Sequence, residues 1–419
     1  MPKTYNLAED ENTMKVCDPG VAYQTSFFEL DDFFYPEQKM TITVQNSASG
    51  LQPLLKWPGG KEKELKYILP NAPAFDRYFE PFVGGGSVFM AFTAKEYFVN
   101  DFSTELICLY NNIATSNEDF FKYVELIDKS WENSGKFFHE NPVLVEKYIE
   151  YRENKVSNDE LKQFVHEFCC VKKGEIYDIL GEEITSLPSI ILEEMEINIS
   201  RKMLRMHKLE IEKHILPDKD IYDNIETAIK SAVYMNYRYL YNDKSIVKRD
   251  PALHCALFFF IRNYAYSGMF RYSSKGEFNV PYGGMAYNRK FMAKKMSYYR
   301  SRPLLDHFAN TKIYNLDFEK FLDATNPTEK DFVFLDPPYD SEFSTYAQNA
   351  FTKDDQRRLA DYMIYKCRAK WMMIIKNTDF IYNLYSKEGI NIRTFEKEYL
   401  VSFMNRNDKK VTHLLVTNY

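Results

Sequence analysis

Phe332-Val333-Phe334-Leu335-Asp336-Pro337-Pro338-Tyr339 is a run of four apolar residues that stops on an acid and two prolines. Consecutive apolar residues closed by a turn signal read as a strand buried on both faces, as in parallel sheets. In open α/β sheets, ligands bind beyond the carboxyl ends of such strands. Asp336, Pro337, Pro338 and Tyr339 would stand at that edge, and they are the candidate catalytic group. The exocyclic amine of a nucleobase is a poor nucleophile, because its lone pair is delocalised into the ring. Two acceptors on its two hydrogens would steer the nitrogen toward tetrahedral geometry and stabilise developing positive charge. The Asp336 carboxylate and the Pro337 carbonyl can be those acceptors, and the Tyr339 ring can stack on the base. A plain Pro-Pro turn after a strand is the competing reading.

The α/β pattern extends on both sides of this run. Lys312 to Leu316, Trp371 to Ile375, Ile390 to Phe395 and His413 to Thr417 read as further strands, with a helix over Asp354 to Arg368. Nearer the N-terminus, Tyr78 to Phe82 reads as a strand running into Gly84-Gly85-Gly86. Ser87 to Lys95 reads as a helix, and Tyr97 to Val99 as a second strand that delivers Asp101. Strand, glycine turn, helix, strand, acid is the order of a nucleotide-binding βαβ unit. Phe82, Gly84, Gly86 and Ser87 are therefore candidate cofactor contacts, and Asp101 is a candidate for ribose hydroxyls. Phe89 stands where a dinucleotide fingerprint has its third glycine, which counts against a nicotinamide-dependent oxidoreductase. Lys56-Trp57-Pro58-Gly59-Gly60-Lys61 adds an aromatic wall in Trp57 and a cation, Lys61, able to pair with a carboxylate. Residues 1–50 read as an extension without assignable chemistry, with one short strand over Thr41 to Val44.

Between the two α/β segments the sequence changes character. Residues 116–250 carry Glu, Lys, Leu and Ile at helical spacing, as in Ile190 to Leu209, and read as a mostly helical insert. From Pro251 to Lys312, ten Lys and Arg face only Glu277 and Asp306, in a chain of net charge −6. Such a concentration reads as a phosphate-binding surface, with a solvated basic face as the alternative. Arg271 to Gly284 interleaves cations, hydrogen-bonding side chains and aromatics, and its glycines and Pro281 predict loops or a hairpin. Arg can read guanine and Asn adenine, while lysines hold phosphates.

The aromatic fraction of 16% and hydrophobic fraction of 45% fit a folded chain. Many of these rings are expected at surfaces or in grooves, where they could stack on bases. No apolar run approaches the ~20 residues that cross a bilayer. The nearest, Ala256 to Ile261, stops at Arg262, and Met1 to Glu11 is polar and acidic, unlike a signal peptide. Six cysteines without CxxC spacing argue against a zinc site and a disulfide framework, and for a reducing cytosol.

Taken in order, these elements make the chain resemble the Dam-type (D12 class) DNA adenine-N6 methyltransferases. The family's Lys-Trp-x-Gly-Gly-Lys is met at Lys56 to Lys61, its Glu-Pro-Phe-x-Gly-x-Gly-Ser-x-Phe at Glu80 to Phe89, and its Asp-Pro-Pro-Tyr at Asp336 to Tyr339. Its Asp-x-Asn-x-x-Leu is approximated by Asp101 to Leu106, and its Arg-x-Asn-x-x-Gly-x-Phe-Asn-Val-Pro-x-Gly by Arg271 to Gly283. Leu414 to Tyr419 is similar to the family's ending.

The resemblance implies an α/β fold: a Rossmann-like S-adenosylmethionine-dependent methyltransferase sheet with an inserted, mostly helical target-recognition domain. The implied division is 1–50 as N-terminal extension, 51–115 and 305–419 as the two parts of the catalytic domain, and 116–304 as helical insert and recognition domain. The implied reaction moves a methyl group from S-adenosylmethionine, without a metal, to a flipped adenine in double-stranded DNA. The implied setting is the cytoplasm of a bacterial or phage-infected cell, away from membranes, with a cognate restriction endonuclease as a candidate partner. Carried over by position, Trp57, Lys61, Phe82, Gly84, Gly86, Ser87, Asp101 and Asp336 would contact the cofactor, and Asp336 to Tyr339 would hold the adenine. Tyr266, Ser267, Arg271, Ser273, Lys275, Asn279, Pro281 and Arg289 would touch DNA. Ser273 stands where the family often has Asn, and Tyr266-Ser267-Gly268-Met269 where Phe-Asn-Gly-Leu is common, so a target other than GATC is expected. N4-cytosine methylation and a non-catalytic DNA-binding protein of the same fold are the alternatives.

Overall fold

The computed structural model describes residues 50–339, 351–398 and 410–419. The strand expected over Thr41 to Val44 lies outside the described residues. One sheet is built from β1 (Arg77–Glu80), β2 (Glu96–Asn100), β3 (Thr311–Tyr314), β4 (Phe332–Leu335), β5 (Lys370–Lys376), β6 (Asn391–Glu398) and β7 (Lys410–Thr417). Their spatial order is β3-β2-β1-β4-β5-β7-β6. The first five pair in parallel, whereas β7 runs antiparallel between β5 and β6. From β1 the chain moves to β2 on one side, and it later returns to β4 on the other. Strand order therefore reverses between β1 and β4, which opens a crevice at their carboxyl ends. The glycine run leaves the end of β1 and Asp336 leaves the end of β4, so both motifs flank that crevice.

Side-chain alternation fixes two cores. Tyr78, Phe332, Phe334, Met372 and Leu415 belong to one face, and Phe79, Val333, Leu335, Met373 and Val416 to the other. With both faces covered, β4 has no need of polar residues, which explains its unbroken apolar sequence. The longer helices are α1 (Thr104–Ala114), α2 (Glu118–Glu140), α3 (Val143–Arg152), α4 (Asn158–Val171), α5 (Ile191–Glu212), α6 (Asp218–Asn242), α7 (Pro251–Tyr264), α8 (Arg302–Ala309), α9 (Phe318–Thr325), α10 (Lys353–Asp361) and α11 (Asp379–Tyr385). Residues of α9, α10 and α11 cover the Phe79 face. The Tyr78 face continues without a break through α1 and α7 into α2 and α6. Helix α7 sits inside this layer, so Ala256 to Ile261 are all buried and that run is apolar on every side of the helix. Among the described residues, no helix is long and apolar enough to cross a membrane.

Two expectations are corrected. Ser87 to Lys95 does not form a helix; it holds a single 3-10 turn over Phe89–Ala91. Val88 to Phe92 are all buried, so the segment has no polar face to give water, and it extends at Phe92 to reach β2. The aromatic surplus is mainly core, not surface. The largest fully buried side chains are Trp131 and Trp371, followed by a group of tyrosines.

Candidate active site

Three segments converge on the carboxyl ends of β1, β2 and β4. The first is the glycine run. Gly84 and Gly86 adopt φ of 51° and 84°, a region that disfavours side chains. Gly85 is required for a different reason. A Cβ there would lie 2.4 Å from the Leu55 carbonyl oxygen. The segment before Trp57 packs directly on this backbone, and Leu54 N–H donates to the Gly85 carbonyl at 3.0 Å. The second segment ends β2. Asp101 accepts from Gly84 N–H at 3.0 Å on Oδ2 and from Ser103 N–H at 2.9 Å on Oδ1. Burial pushes its carboxyl up to about 6, against the pull of those backbone hydrogen bonds. Each carboxylate oxygen can take more than one donor, so Asp101 can still receive hydroxyls. Phe102 beside it is 56% exposed. Asn100 fixes the strand end, donating to the carbonyls of Pro81 and Leu316 and accepting from Leu316 N–H.

The third segment is the loop after β4. Lys61 is 1% exposed and is ion-paired with Asp336 Oδ1. Its ammonium also donates to the Gly59 carbonyl at 2.8 Å and lies 5.6 Å from the Tyr339 ring centre. Buried Gln356 donates from Nε2 to the Pro338 carbonyl at 2.8 Å. Tyr339 Oη and His413 Nε2 share a hydrogen bond of 3.2 Å. Glu80, at the end of β1, accepts from Tyr78 Oη at 2.7 Å. Burial holds its carboxyl well above the usual range, and the neighbouring negative charges of Asp336 and Asp101 push the same way.

Lys61, Gly84, Asp101, Asp336 and Tyr339 thus meet at one sheet edge. Trp57 packs edge-on against Phe270, with ring centres 5.2 Å apart. Phe82 turns toward the rings of Phe318 and Phe351. Ser87 is buried beneath Gly60. Glu80, Asn100, Phe102, Gln356 and His413 escaped the sequence reading. Glu80 lies inside a quoted motif and Phe102 follows a chosen acid, but Gln356 and His413 carried no local signal.

The recognition candidates lie mainly on residues 265–282, joined by isolated bridges Ala265–Tyr282 and Tyr272–Phe278. Tyr266 is exposed, and Ser267 is held at φ 51°. Arg271 donates to Asn279 Oδ1 at 2.8 Å and to the Asn279 carbonyl at 3.2 Å. Ser273 Oγ accepts from the N–H groups of Lys275 and Glu277, which closes a tight turn. Lys275 and Pro281 are exposed.

The expected phosphate-binding surface is smaller than the charge count implied. Arg262 is buried, and its Nη atoms donate to the carbonyls of Gly268, Met269 and Lys56. Arg289 is ion-paired with Glu226 and Arg300 with Glu118 and Glu125. Arg302 pairs with Asp306, and Lys312 with Glu96. Lys290 and Lys295 donate to the carbonyls of Asn263 and Leu54. Acids distant in sequence and the backbone absorb most of the run.

A family model described as D12 class N6 adenine-specific DNA methyltransferase matches residues 57–174 and 197–399. Type II methyltransferase M.CviBI of Paramecium bursaria Chlorella virus NC1A is 36% identical over 166 residues, 39% of this chain and 60% of that protein. Type II methyltransferase M1.LlaDCHI of Lactococcus lactis subsp. cremoris is 23% identical over 385 residues, 90% and 98% of the two chains. The DNA adenine methylase of Escherichia coli K12 is 23% identical over 315 residues, 73% of each chain.

Proposed function

The chain belongs to the D12 class N6 adenine-specific DNA methyltransferases, and from that premise we propose that Asp336, Pro337 and Tyr339 form the adenine pocket and that Lys61, Asp101 and the glycine run hold S-adenosylmethionine. The observation that carries this reading is the Lys61–Asp336 pair at the carboxyl end of β4, inside the crevice where strand order reverses. The residues fit the cofactor chemically: an acid able to take hydroxyls, an exposed aromatic beside it, and a cation near the sheet edge. When bound, S-adenosylmethionine supplies an electrophilic methyl group.

The target adenine leaves the duplex at a cost of a few kcal/mol and stacks on Tyr339. Asp336 and the Pro337 carbonyl accept the N6 hydrogens, which turns the nitrogen lone pair out of the ring plane. Lys61 holds the carboxylate in place, so little reorganisation is needed at the moment of reaction. The proton leaves after methylation, when the nitrogen is acidic, so no strong base is required. Exposed Tyr266 and Lys275, with Ser267, Arg271, Ser273, Asn279 and Pro281, form the DNA-facing surface. Arg289 joins them through whatever its pair with Glu226 leaves accessible. This reading takes residues 51–115 and 305–419 as the catalytic domain and double-stranded DNA as the substrate. It takes the cytoplasm as the setting and needs no metal. The Type II names of two relatives support a restriction–modification context with a cognate endonuclease.

The test is sequencing of modified bases in plasmid DNA from cells expressing the wild type or Asp336→Ala. Methyladenine at one motif, lost in the variant, is expected. Wild-type methylation by a folded Asp336→Ala protein overturns the pocket assignment, and methylcytosine in place of methyladenine overturns the choice of base.

A further inference from the structure

We propose that His413 is a positioning residue that sets the orientation of the Tyr339 ring; the proposal rests on the reading of Tyr339 as the surface on which the base stacks. His413 is fully buried, in line with the buried apolar residues Leu414, Leu415 and Val416 that follow it in β7. Burying an imidazole is costly unless its nitrogens are satisfied, so its presence calls for a partner. One partner is Tyr339, whose Oη lies 3.2 Å from His413 Nε2.

Topology explains how a residue so far along the chain reaches the site. Strand β7 runs antiparallel to β5, so its early residues lie beside the carboxyl end of β5, where His413 is opposite Lys376. On its other side His413 is opposite Phe395 of β6. Its ring stands 5.8 Å from the rings of both Phe395 and Tyr339. The imidazole is thus wedged between a half-buried aromatic and the candidate stacking surface. A tyrosine ring tethered at both Cα and Oη has lost rotation about χ1 and χ2. Gln356 restrains the preceding carbonyl of Pro338, so backbone and ring are fixed from separate elements. A base entering from the duplex then meets a prearranged plane, and the cost of ordering the ring is not charged to the reaction.

The decisive experiment is a double-mutant cycle with His413→Phe and Tyr339→Phe, read by methyl transfer to unmethylated genomic DNA. His413→Phe removes Nε2 and keeps a flat ring, while Tyr339→Phe removes only Oη. Each single change is expected to lower kcat about fivefold, the worth of one ordinary hydrogen bond. KM for DNA and the Kd for S-adenosylhomocysteine should change less than twofold. The double variant should be no slower than either single one, because both remove the same bond. Multiplicative losses in the double variant would show that His413 acts through packing alone and would overturn the proposal. Wild-type rates in both single variants would overturn it as well. Tyr339→Ala separates this failure from that of the parent reading. If it abolishes transfer while both Phe variants keep wild-type rates, the pocket stands and the His413 role falls. If it is active, the stacking assignment itself falls, and the proposal with it.

Discussion

Acidification is expected to weaken cofactor binding through Asp101, and the size of the effect follows from its surroundings. The ordinary aspartate value is 3.8, and burial raises Asp101 to about 6. That difference makes ionisation in the folded protein harder than in the unfolded chain by about 3 kcal/mol. The folded state thus holds this proton more tightly. As pH rises from about 4 to about 6, this group withdraws up to that amount of stability, and above 6 the loss is constant. Ligand binding runs the other way, because only the ionised carboxylate accepts two hydroxyls well. About nine-tenths of Asp101 is ionised near pH 7 and about one-tenth near pH 5, so apparent affinity should fall about tenfold between them. Calorimetric titration with S-adenosylhomocysteine, with circular dichroism to confirm folding at each pH, measures this directly. Asp101→Asn is the control: it should bind more weakly near neutral pH and lose the pH dependence. A wild-type Kd constant within about twofold from pH 7 to 5, in folded protein, would refute the reasoning. So would an Asn variant that keeps the slope.

Gly85→Ala places a methyl 2.4 Å from the Leu55 carbonyl oxygen, and backbone cannot step aside as a side chain can. It should cost about 1–3 kcal/mol in urea unfolding and weaken S-adenosylhomocysteine binding, since Trp57 and Lys61 follow Leu55; an unchanged midpoint would contradict the close packing. Lys275→Ala should lower the slope of log affinity for DNA against log salt by about one. Arg289→Ala should shift that slope less and cost about 2 kcal/mol of stability, because Arg289 holds buried Glu226; equal slopes for the two variants would refute the distinction. Arg262→Met leaves three carbonyls without their cation and should cost at least about 3 kcal/mol, read as a shift of the thermal or urea midpoint.

Most of the sheet was legible because the parallel strands advertise themselves. Phe332–Leu335 is bounded by an acid and prolines, and its observed limits coincide with the apolar run. The order of glycine loop, acid and Asp-Pro-Pro-Tyr also brought Lys61, Asp101 and Asp336 to one edge. What failed to show were properties of neighbours. Val88 to Phe92 has helix-compatible residues, but burial on every side left it a single 3-10 turn. Gln356 sits in a capped, highly polar helix where a buried glutamine looks like any other. His413 matters only because β7 reverses direction beside β5, and nothing local to Val411-Thr412-His413 reports that reversal.

Charge was the least readable property, and Arg262 shows why. In sequence it is one of ten cations in a run that points to phosphate. In the fold it is 5% exposed, and its guanidinium stacks 3.7 Å from the centre of Phe270. Burial pulls it down to about 9, a cost offset by the carbonyls it bridges. Two of those carbonyls, Gly268 and Met269, belong to the loop before Arg271, and the third, Lys56, precedes Trp57. A lysine could not make this junction, since one ammonium lacks the planar fork that reaches both sides at once. The cation that a charge count assigns to DNA therefore ties the loop that would face DNA to the segment that carries Trp57 and Lys61. Lys61 in turn holds Asp336. A shift of the 268–270 loop cannot leave the Lys56–Lys61 segment untouched unless Arg262 gives up a hydrogen bond. That physical chain joins the 268–270 loop to the Lys61–Asp336 pair, and it runs through a residue whose surface role the fold removes.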